Sequence, residues 1–419
     1  MDTVIVLFTR DLRVHDHPAL SAACERGGRV VPLFVLDPAV PAGCRAGFLL
    51  DCLADLRESL RARHGDLIVR RGDVVAETMR LVREVEAGAI FAGGDVSELG
   101  RTRERRFAGE RIDFRLFPGL TVVPPGALRP SGGGEHYRVF TPYWRAWSGW
   151  TRRAVLAAPS HVPLPPGLVA GDLPGPSPHP AARGGESAAR ARLKSWSSQG
   201  LDGYADGRDD LAGDRTSRLS PYLRFGCLSP LELAAAAGDR QEFVRQLCWR
   251  DFFHQVTLAF PRINRDDYRP RPRRWRDDAH AVEMWKAGMT GVPIVDAGMR
   301  QLLAEGWMHN RARMIVADYL VNHLGVDWRT GARHFFDLLL DGDVANNSGN
   351  WQWVAGTGNS TRPGRRLNPV RQAARFDHDA AYIRRYVPEL AGLPTPEART
   401  PWRLSRQVAG YPAPITPVD

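Results

Sequence analysis

The sequence predicts an α/β domain followed by an all-α domain, and three observations carry that prediction. Short apolar runs alternate with amphipathic stretches over the first 125 residues. Residues 158–187 are rich in Pro and Gly and have no periodicity. From about Ala188 onward the pattern is almost wholly helical. Alternation of the first kind builds a doubly wound parallel sheet. At 419 residues the chain is also longer than one ordinary core accommodates. The expected organisation is an α/β domain at 1–125, an interdomain linker at 126–187 and a helical domain at 188–419.

Taken in order, the apolar runs at 4–8, 30–36, 67–69 and 89–92 have the composition of buried parallel strands. Between them, 17–26, 48–63 and 74–87 have helical periodicity. The first strand is followed by TRDLRVHD, not by G-x-G-x-x-G, so a dinucleotide site of the Rossmann kind is not expected. A ligand of this domain would still be sought at the carboxyl ends of the strands. In the second half, SPLEL from Ser229, GVPIVD from Gly291 and GARHFF from Gly331 are taken as breaks between helices.

Composition excludes several classes. Hydrophobic residues make up 43% and charged residues 25%, as in soluble globular proteins. No apolar run reaches the length of a membrane span. MDTVIVLFTRDLR has the pattern of a first strand, not of a signal peptide. Five cysteines without a C-x-x-C pair imply free thiols in a reducing cytoplasm. The twelve histidines form no H-E-x-x-H or Cys/His cluster, so no metal is expected. G-x-S-x-G and G-x-x-x-x-G-K-[ST] are both absent.

The net charge of +10 is unevenly placed. Residues 1–125 hold 18 basic and 18 acidic side chains, so the whole excess lies in 126–419. All twelve tryptophans lie there too, between Trp144 and Trp402. With only two lysines in the chain, part of the arginine abundance is coding bias, but that bias would act on both halves. The asymmetry points to a polyanionic partner, most simply nucleic acid.

Four constellations mix large rings with polar groups. In WMHNRARM, Trp307, Asn310, Arg311 and Met314 are spaced i, i+3, i+4 and i+7, which on one helix makes a single face suited to a planar polar ligand. A solvated helix edge fits the same residues. In DGDVANNSGNWQW, Asn347 and Trp351 are i and i+4, while Trp353 points nearly the opposite way. TSRLS, 216–220, offers hydroxyls before a helix start, either a phosphate cradle or an N-cap cluster. FVRQLCWRDFF puts Gln246 and Trp249 on one face, the pattern of an aromatic-rich core helix when taken alone.

Together TSRLSPYLRFG, QLCWRDFF, GVPIVDAGMRQL, GWMHNRARM, DGDVANNSGNWQW and LNP resemble the photolyase/cryptochrome flavoproteins, closest to the bacterial class I cyclobutane pyrimidine dimer photolyases. VLFTRDLRVHDHPAL resembles that family's amino-terminal entry. The resemblance runs from residue 1 to about Leu390. It implies an α/β antenna domain, a long linker and a helical domain that holds FAD. Tyr204, Thr216, Ser217, Arg218, Leu219 and Ser220 match the residues that hold the FAD phosphates. Arg250, Arg313, Asp341 and Asp343 match those lining the flavin, with Arg313 and Asp341 ion-paired. Asn347 matches the residue facing flavin N5, and Trp351, Trp328 and Trp275 match the chain that carries an electron from the surface to the flavin. Arg208, Gln246, Trp249, Asn310, Arg311, Met314 and Trp353 match the pocket for a flipped dimer.

The implied activity is light-driven repair of cyclobutane pyrimidine dimers in UV-damaged DNA, by a cytoplasmic monomer that joins the nucleoid when bound. A cryptochrome-like light sensor is the alternative, and a nucleotide-binding α/β protein with a structural helical domain a more distant one. One residue departs from the family pattern: Gln246 stands where Glu is common. The (6-4) branch often has Gln there, but its two histidines correspond to Asn310 and Met314. A second, antenna chromophore is also implied, 8-hydroxy-5-deazaflavin ahead of methenyltetrahydrofolate. Asp95 matches a deazaflavin contact, although a strand-end Asp is commonly only a turn residue.

Overall fold

The computed structural model describes residues 2–40, 43–175, 182–361, 364 and 366–418. The 176–181 part of the expected linker lies outside these residues. The chain divides into two compact units, Met1–Asp202 with Ser217–Pro261, and Gly203–Thr216 with Arg262–Asp419.

The first unit opens with five strands and four helices in strict alternation: β1 (Thr3–Leu7), α1 (Pro18–Glu25), β2 (Arg29–Leu36), α2 (Ala46–Arg61), β3 (Ile68–Arg71), α3 (Val74–Glu84), β4 (Ala87–Gly93), α4 (Glu98–Ala108) and β5 (Asp113–Phe117). Every strand pair is parallel and the order is β3-β2-β1-β4-β5. Central strands covered on both faces have to be apolar throughout, and all five residues of β1 are buried. Edge strand β5, DFRLF, is half-exposed and charged, which is why it carries no strand signal in the sequence. Asp73 and Ser97 accept backbone N–H bonds at the starts of α3 and α4. The Pro-rich segment after 158 is tied to the sheet: Val30 N–H donates to the Pro163 carbonyl at 2.8 Å and Val69 N–H to that of Ala170 at 2.7 Å.

Helices α5 (Phe140–Ser148), α6 (Glu186–Gln199), α8 (Ser220–Phe225), α9 (Pro230–Ala237) and α10 (Gln241–Ala259) complete this unit, while α7 (Tyr204–Gly207) belongs to the second. The second unit continues with α11 (Ala279–Ala287), α12 (Pro293–Glu305), α13 (Asn310–Asp318), α14 (Trp328–Leu338), α15 (Val344–Ala355), α16 (Pro369–Phe376), α17 (Ala381–Tyr386) and α18 (Thr395–Arg399). A wider π turn, Tyr319–His323, extends α13.

Its core is built on Trp285, Trp328, Trp351, Tyr319 and Tyr382. Gly331 is not the helix break expected from GARHFF. It lies inside α14, where a Cβ would stand 2.2 Å from Cη2 of Trp351 and 2.6 Å from Cδ2 of Leu320. The glycine is there to admit an indole. Among the described residues, no helix is long and apolar enough to cross a membrane and no cluster of metal-ligating side chains occurs.

Candidate functional site

In the second unit α15 is the organising element. The Asp343 carboxylate caps it, with Oδ1 accepting from the backbone N–H and the Nδ2 of Asn346, each at 2.8 Å. One turn on, Asn347 Nδ2 donates to the Ala332 carbonyl at 2.8 Å. That bond fixes the amide orientation and leaves Oδ1 as an acceptor. Asn347 also lines a cavity of about 370 Å³ with Asn264, Arg333 and Phe336. Trp351 follows Asn347 at i+4 and is buried at 3% exposure, while Trp353 is half-buried. The W-Q-W spacing therefore separates the two rings as the helical period requires. Its middle residue is a buried anchor: Gln352 Nε2 donates to the carbonyls of Ile263 at 2.7 Å and Asp266 at 2.9 Å, and Oε1 accepts from Tyr268 N–H at 2.8 Å.

Before α15, Asp341 receives both terminal nitrogens of Arg313, at 3.1 and 2.8 Å, while Arg313 Nε donates to the Met308 carbonyl at 2.8 Å. This fork geometry fixes the guanidinium plane. Asn310, Arg311 and Met314 come together on α13. Arg311 Nη1 is 3.8 Å and Asn310 Nδ2 4.0 Å from the Met314 sulfur, and Arg311 is held by Asp209 at 2.8 Å.

Trp307 does not share that face. Gly306, at φ +59°, ends α12, and α13 begins only at Asn310, so Trp307 is buried in the connection between them. The cap of α13 is a histidine: Nδ1 of His309 accepts from Arg311 N–H at 3.1 Å, which requires a neutral ring. Burial holds the His309 pKa down to about 4.

The three indoles matched to the electron chain lie in this same unit, Trp351 and Trp328 buried and Trp275 half-buried. Trp351 packs with Phe335 at a centroid distance of 4.9 Å and with Gly331. Trp328, on α14, is fully buried and donates its indole N–H to Asp267 Oδ1 at 2.9 Å. Asp267 Oδ1 also receives Arg329 Nη2 at 2.8 Å. Trp275 is half-buried against the edge of the core, with the Arg273 guanidinium 4.4 Å from its ring centroid. Another buried indole, Trp285, meets Trp351 edge-on at 6.1 Å and donates its N–H to the Val316 carbonyl at 3.0 Å. Tyr204 opens α7, Arg208 closes it, and Thr216 ends the Gly203–Thr216 segment.

The first unit carries Ser217, Arg218, Leu219 and Ser220, which lead into α8. Arg218 holds φ at +52°, a left-handed backbone conformation that non-glycine residues seldom adopt. Leu219 N–H donates to Ser217 Oγ at 3.3 Å, tightening the turn. On α10, Arg250 donates to the Leu120 carbonyl at 2.5 Å and is nearly buried. Phe140 lies flat against Trp249, centroids 3.5 Å apart and planes 2° from parallel, so a base stacking on Trp249 would use the opposite face. Gln246 Nε2 donates back to the Glu242 carbonyl at 3.3 Å. Beneath them Asp251, fully buried, accepts from Trp147 Nε1 at 2.8 Å and Val123 N–H at 3.0 Å, and burial raises its pKa to about 6.

Asp95, at the end of β4, is committed to its own turn. Oδ1 accepts from the N–H groups of Val96 and Ser97 at 2.7 and 3.0 Å and from Arg10 at 3.3 Å, and Oδ2 accepts from Ser97 Oγ at 3.0 Å. The cavity beside it, also lined by Arg13 and His17, leaves about 20 Å³, room for one water.

Sequence reasoning missed Asp267, Gln352 and Trp285. Each meets a partner distant in sequence.

Comparison with known proteins gives the family and the fold. Residues 4–164 match the DNA photolyase family and residues 243–419 match the FAD binding domain of DNA photolyase. A deoxyribodipyrimidine photo-lyase of Streptomyces griseus is 48% identical over 99% of this chain and 96% of its own length. A cryptochrome DASH of Natronomonas pharaonis is 36% identical over 100% of this chain and 99% of its own. The crystal structure of a bacterial class III photolyase from Agrobacterium tumefaciens superposes with a TM-score of 0.93 at 34% identity, covering 100% of this chain and 95% of that one.

Proposed function

Because the chain belongs to the DNA photolyase family, we propose that it is a deoxyribodipyrimidine photo-lyase that repairs cyclobutane pyrimidine dimers in UV-damaged DNA. The observation that carries this reading is the division of labour along α15. One helix bears Asn347 with an oriented carbonyl oxygen, Trp351 buried in the core and Trp353 half-buried.

The residues present suit FAD. Asn347 Oδ1 would be an acceptor for the flavin N5–H, and the Ala332 carbonyl sets the orientation of the amide. Arg313 and Asp341 supply a rigid, internally neutralised pair, and Asp343 cannot turn away without uncapping α15. Tyr204, Thr216, Ser217, Arg218, Leu219 and Ser220 would hold the phosphates, with Arg250 beside the flavin. Bound and reduced, FAD supplies one-electron chemistry under blue or near-UV light.

The chain does the rest. Trp353 and Trp249 would stack on the flipped lesion, worth roughly 1–3 kcal/mol per base. Arg208, Asn310, Arg311, Met314 and Gln246 would line its polar edge. Trp275, Trp328 and Trp351 would pass electrons inward to restore the reduced cofactor. An antenna deazaflavin, or less readily a folate, belongs to the same proposal, with Asp95 its matched contact. So do the division into 1–125, 126–187 and 188–419, the monomeric state and the cytoplasmic location.

The cryptochrome DASH relative favours the rival reading, a light sensor with weak or no repair. Binding separates the two. Trp353→Ala should weaken affinity for dimer-containing DNA more than for undamaged DNA. Equal losses would make Trp353 a packing residue and remove the lesion pocket.

A further inference from the structure

The arginines around Trp275 stand outside everything assigned so far. Five of them, Arg269, Arg271, Arg273, Arg274 and Arg276, occur within eight residues, in RPRPRRWR. The segment belongs to no helix or strand, in keeping with its alternating prolines. Arg273 is fixed: it donates to Asn322 Oδ1 at 3.1 Å and to the Val321 carbonyl in the π turn, which sets its guanidinium over the indole. Arg366 is exposed and stands close enough to act on Arg273 electrostatically. Arg271 and Arg274 are exposed and make no ion pair or hydrogen bond among the described residues. Of the acids nearby in sequence, Asp266 pairs with Arg262, Asp267 with Trp328 and Arg329, and Asp278 caps α11 and lies 3.8 Å from Arg276, which leaves exposed Asp277 against Arg271 and Arg274.

This arrangement has an electrostatic consequence. Trp328 has a carboxylate at its N–H, which stabilises positive charge on the ring. Trp275 has a guanidinium against its face, which opposes it. An electron hole arriving at Trp275 is therefore unstable as a radical cation, and shedding the indole proton removes the repulsion. A neutral radical left there has to be refilled from outside, through a surface whose free charge is positive.

We propose that the arginine-ringed rim of Trp275 is the docking surface for a small anionic one-electron donor of the enediolate class. The reaction balances. The donor's O–H bond breaks and the indole N–H bond forms, so Trp275 regains one electron and one proton. The donor monoanion departs as its own radical anion, with no net change of charge on either partner. This rests on Trp275 being the outer end of the electron chain.

The test uses the full flavin-loaded chain and follows the decay of the tryptophan radical after a light flash. Ascorbate serves as anionic donor and hydroquinone as neutral control. Steered encounters lose rate as ions screen them. Between about 0.02 M and about 0.5 M salt, the ascorbate rate constant should fall about three- to tenfold. The R271Q/R274Q double variant should lower it similarly at low salt, with hydroquinone unaffected by either change. An ascorbate rate indifferent to salt and to both substitutions overturns the docking surface alone. Absence of any long-lived radical overturns the electron chain, and this proposal with it.

A second measurement needs no flavin. The fluorescence lost in Trp275→Phe should be quenched by iodide better than by neutral acrylamide, and that preference should vanish in the double variant. A preference unchanged in the double variant overturns the proposal. Protection of Trp275 by stoichiometric undamaged oligonucleotide would instead assign the rim to nucleic acid, and overturn it too.

Discussion

The indole N–H of Trp328 donates to Asp267 at 2.9 Å, so the middle tryptophan of the proposed chain is permanently paired with a carboxylate. Arg329 shares that carboxylate at 2.8 Å and partly offsets its charge. Asp267 thus both positions Trp328 and stabilises a transient positive charge on it. Replacing Asp267 with Asn keeps an acceptor and removes the charge. Flavin photoreduction should slow about three- to tenfold in Asp267→Asn, with the offset by Arg329 limiting the effect. Repair by chemically pre-reduced protein should be unchanged. Unaltered photoreduction kinetics would mean that Trp328 carries no charge.

Trp351→Phe should slow photoreduction by at least tenfold and leave repair by pre-reduced protein largely intact, because only the first step of the chain is lost. Trp285→Phe is the matched control, since Trp285 touches Trp351 but is fully buried. Its photoreduction should stay within about twofold of wild type. A comparable loss in both variants would show that electrons enter by way of Trp285.

Gln246 is held by one hydrogen bond at 3.3 Å, from Nε2 to the Glu242 carbonyl. Glu at this position gives up that weak bond and restores a carboxyl that can hold a proton against the damaged bases. Repair per absorbed photon should be maintained or improved in Gln246→Glu. A clear loss in steady-state repair assays would indicate a differently organised pocket.

His309 links pH to the stability of α13. Its pKa in the folded protein is held down to about 4, below the ordinary histidine value, so the native state binds fewer protons than the unfolded chain between the two. Its contribution is therefore fully present above the unfolded value near 6.5 and is lost as pH falls towards about 4. His309→Asn keeps a side-chain cap and does not titrate. The melting-temperature difference, variant minus wild type, should rise as pH is lowered from 7 to about 4.5. A constant difference would contradict the neutral-cap assignment.

What was legible in the sequence was periodic. Strand and helix alternation placed β1 to β4 and α1 to α3 within a few residues, because parallel strands buried on both faces are apolar throughout. The i, i+4 relation of Asn347 and Trp351 held for the same reason. Edge strand β5 escaped notice because its charged residues face water. Trp307 was put on the wrong element because the apolar spacing of α12 runs on across Gly306, whose left-handed backbone interrupts the helix. Asp267 with Trp328, Gly331 with Trp351 and Gln352 with Ile263 had no local signature. They join segments between 20 and 89 residues apart in sequence, and only the folded core brings them within reach.

The central claim is that this chain splits pyrimidine dimers with light. It is tested most directly by illuminating the purified, reduced protein with an oligonucleotide containing one cyclobutane thymine dimer. The account predicts that thymine absorbance returns in proportion to the absorbed dose until every dimer is repaired, with none restored in the dark. A flavin-loaded protein that absorbs the light and leaves the dimers intact would contradict it, and would make the chain a sensor.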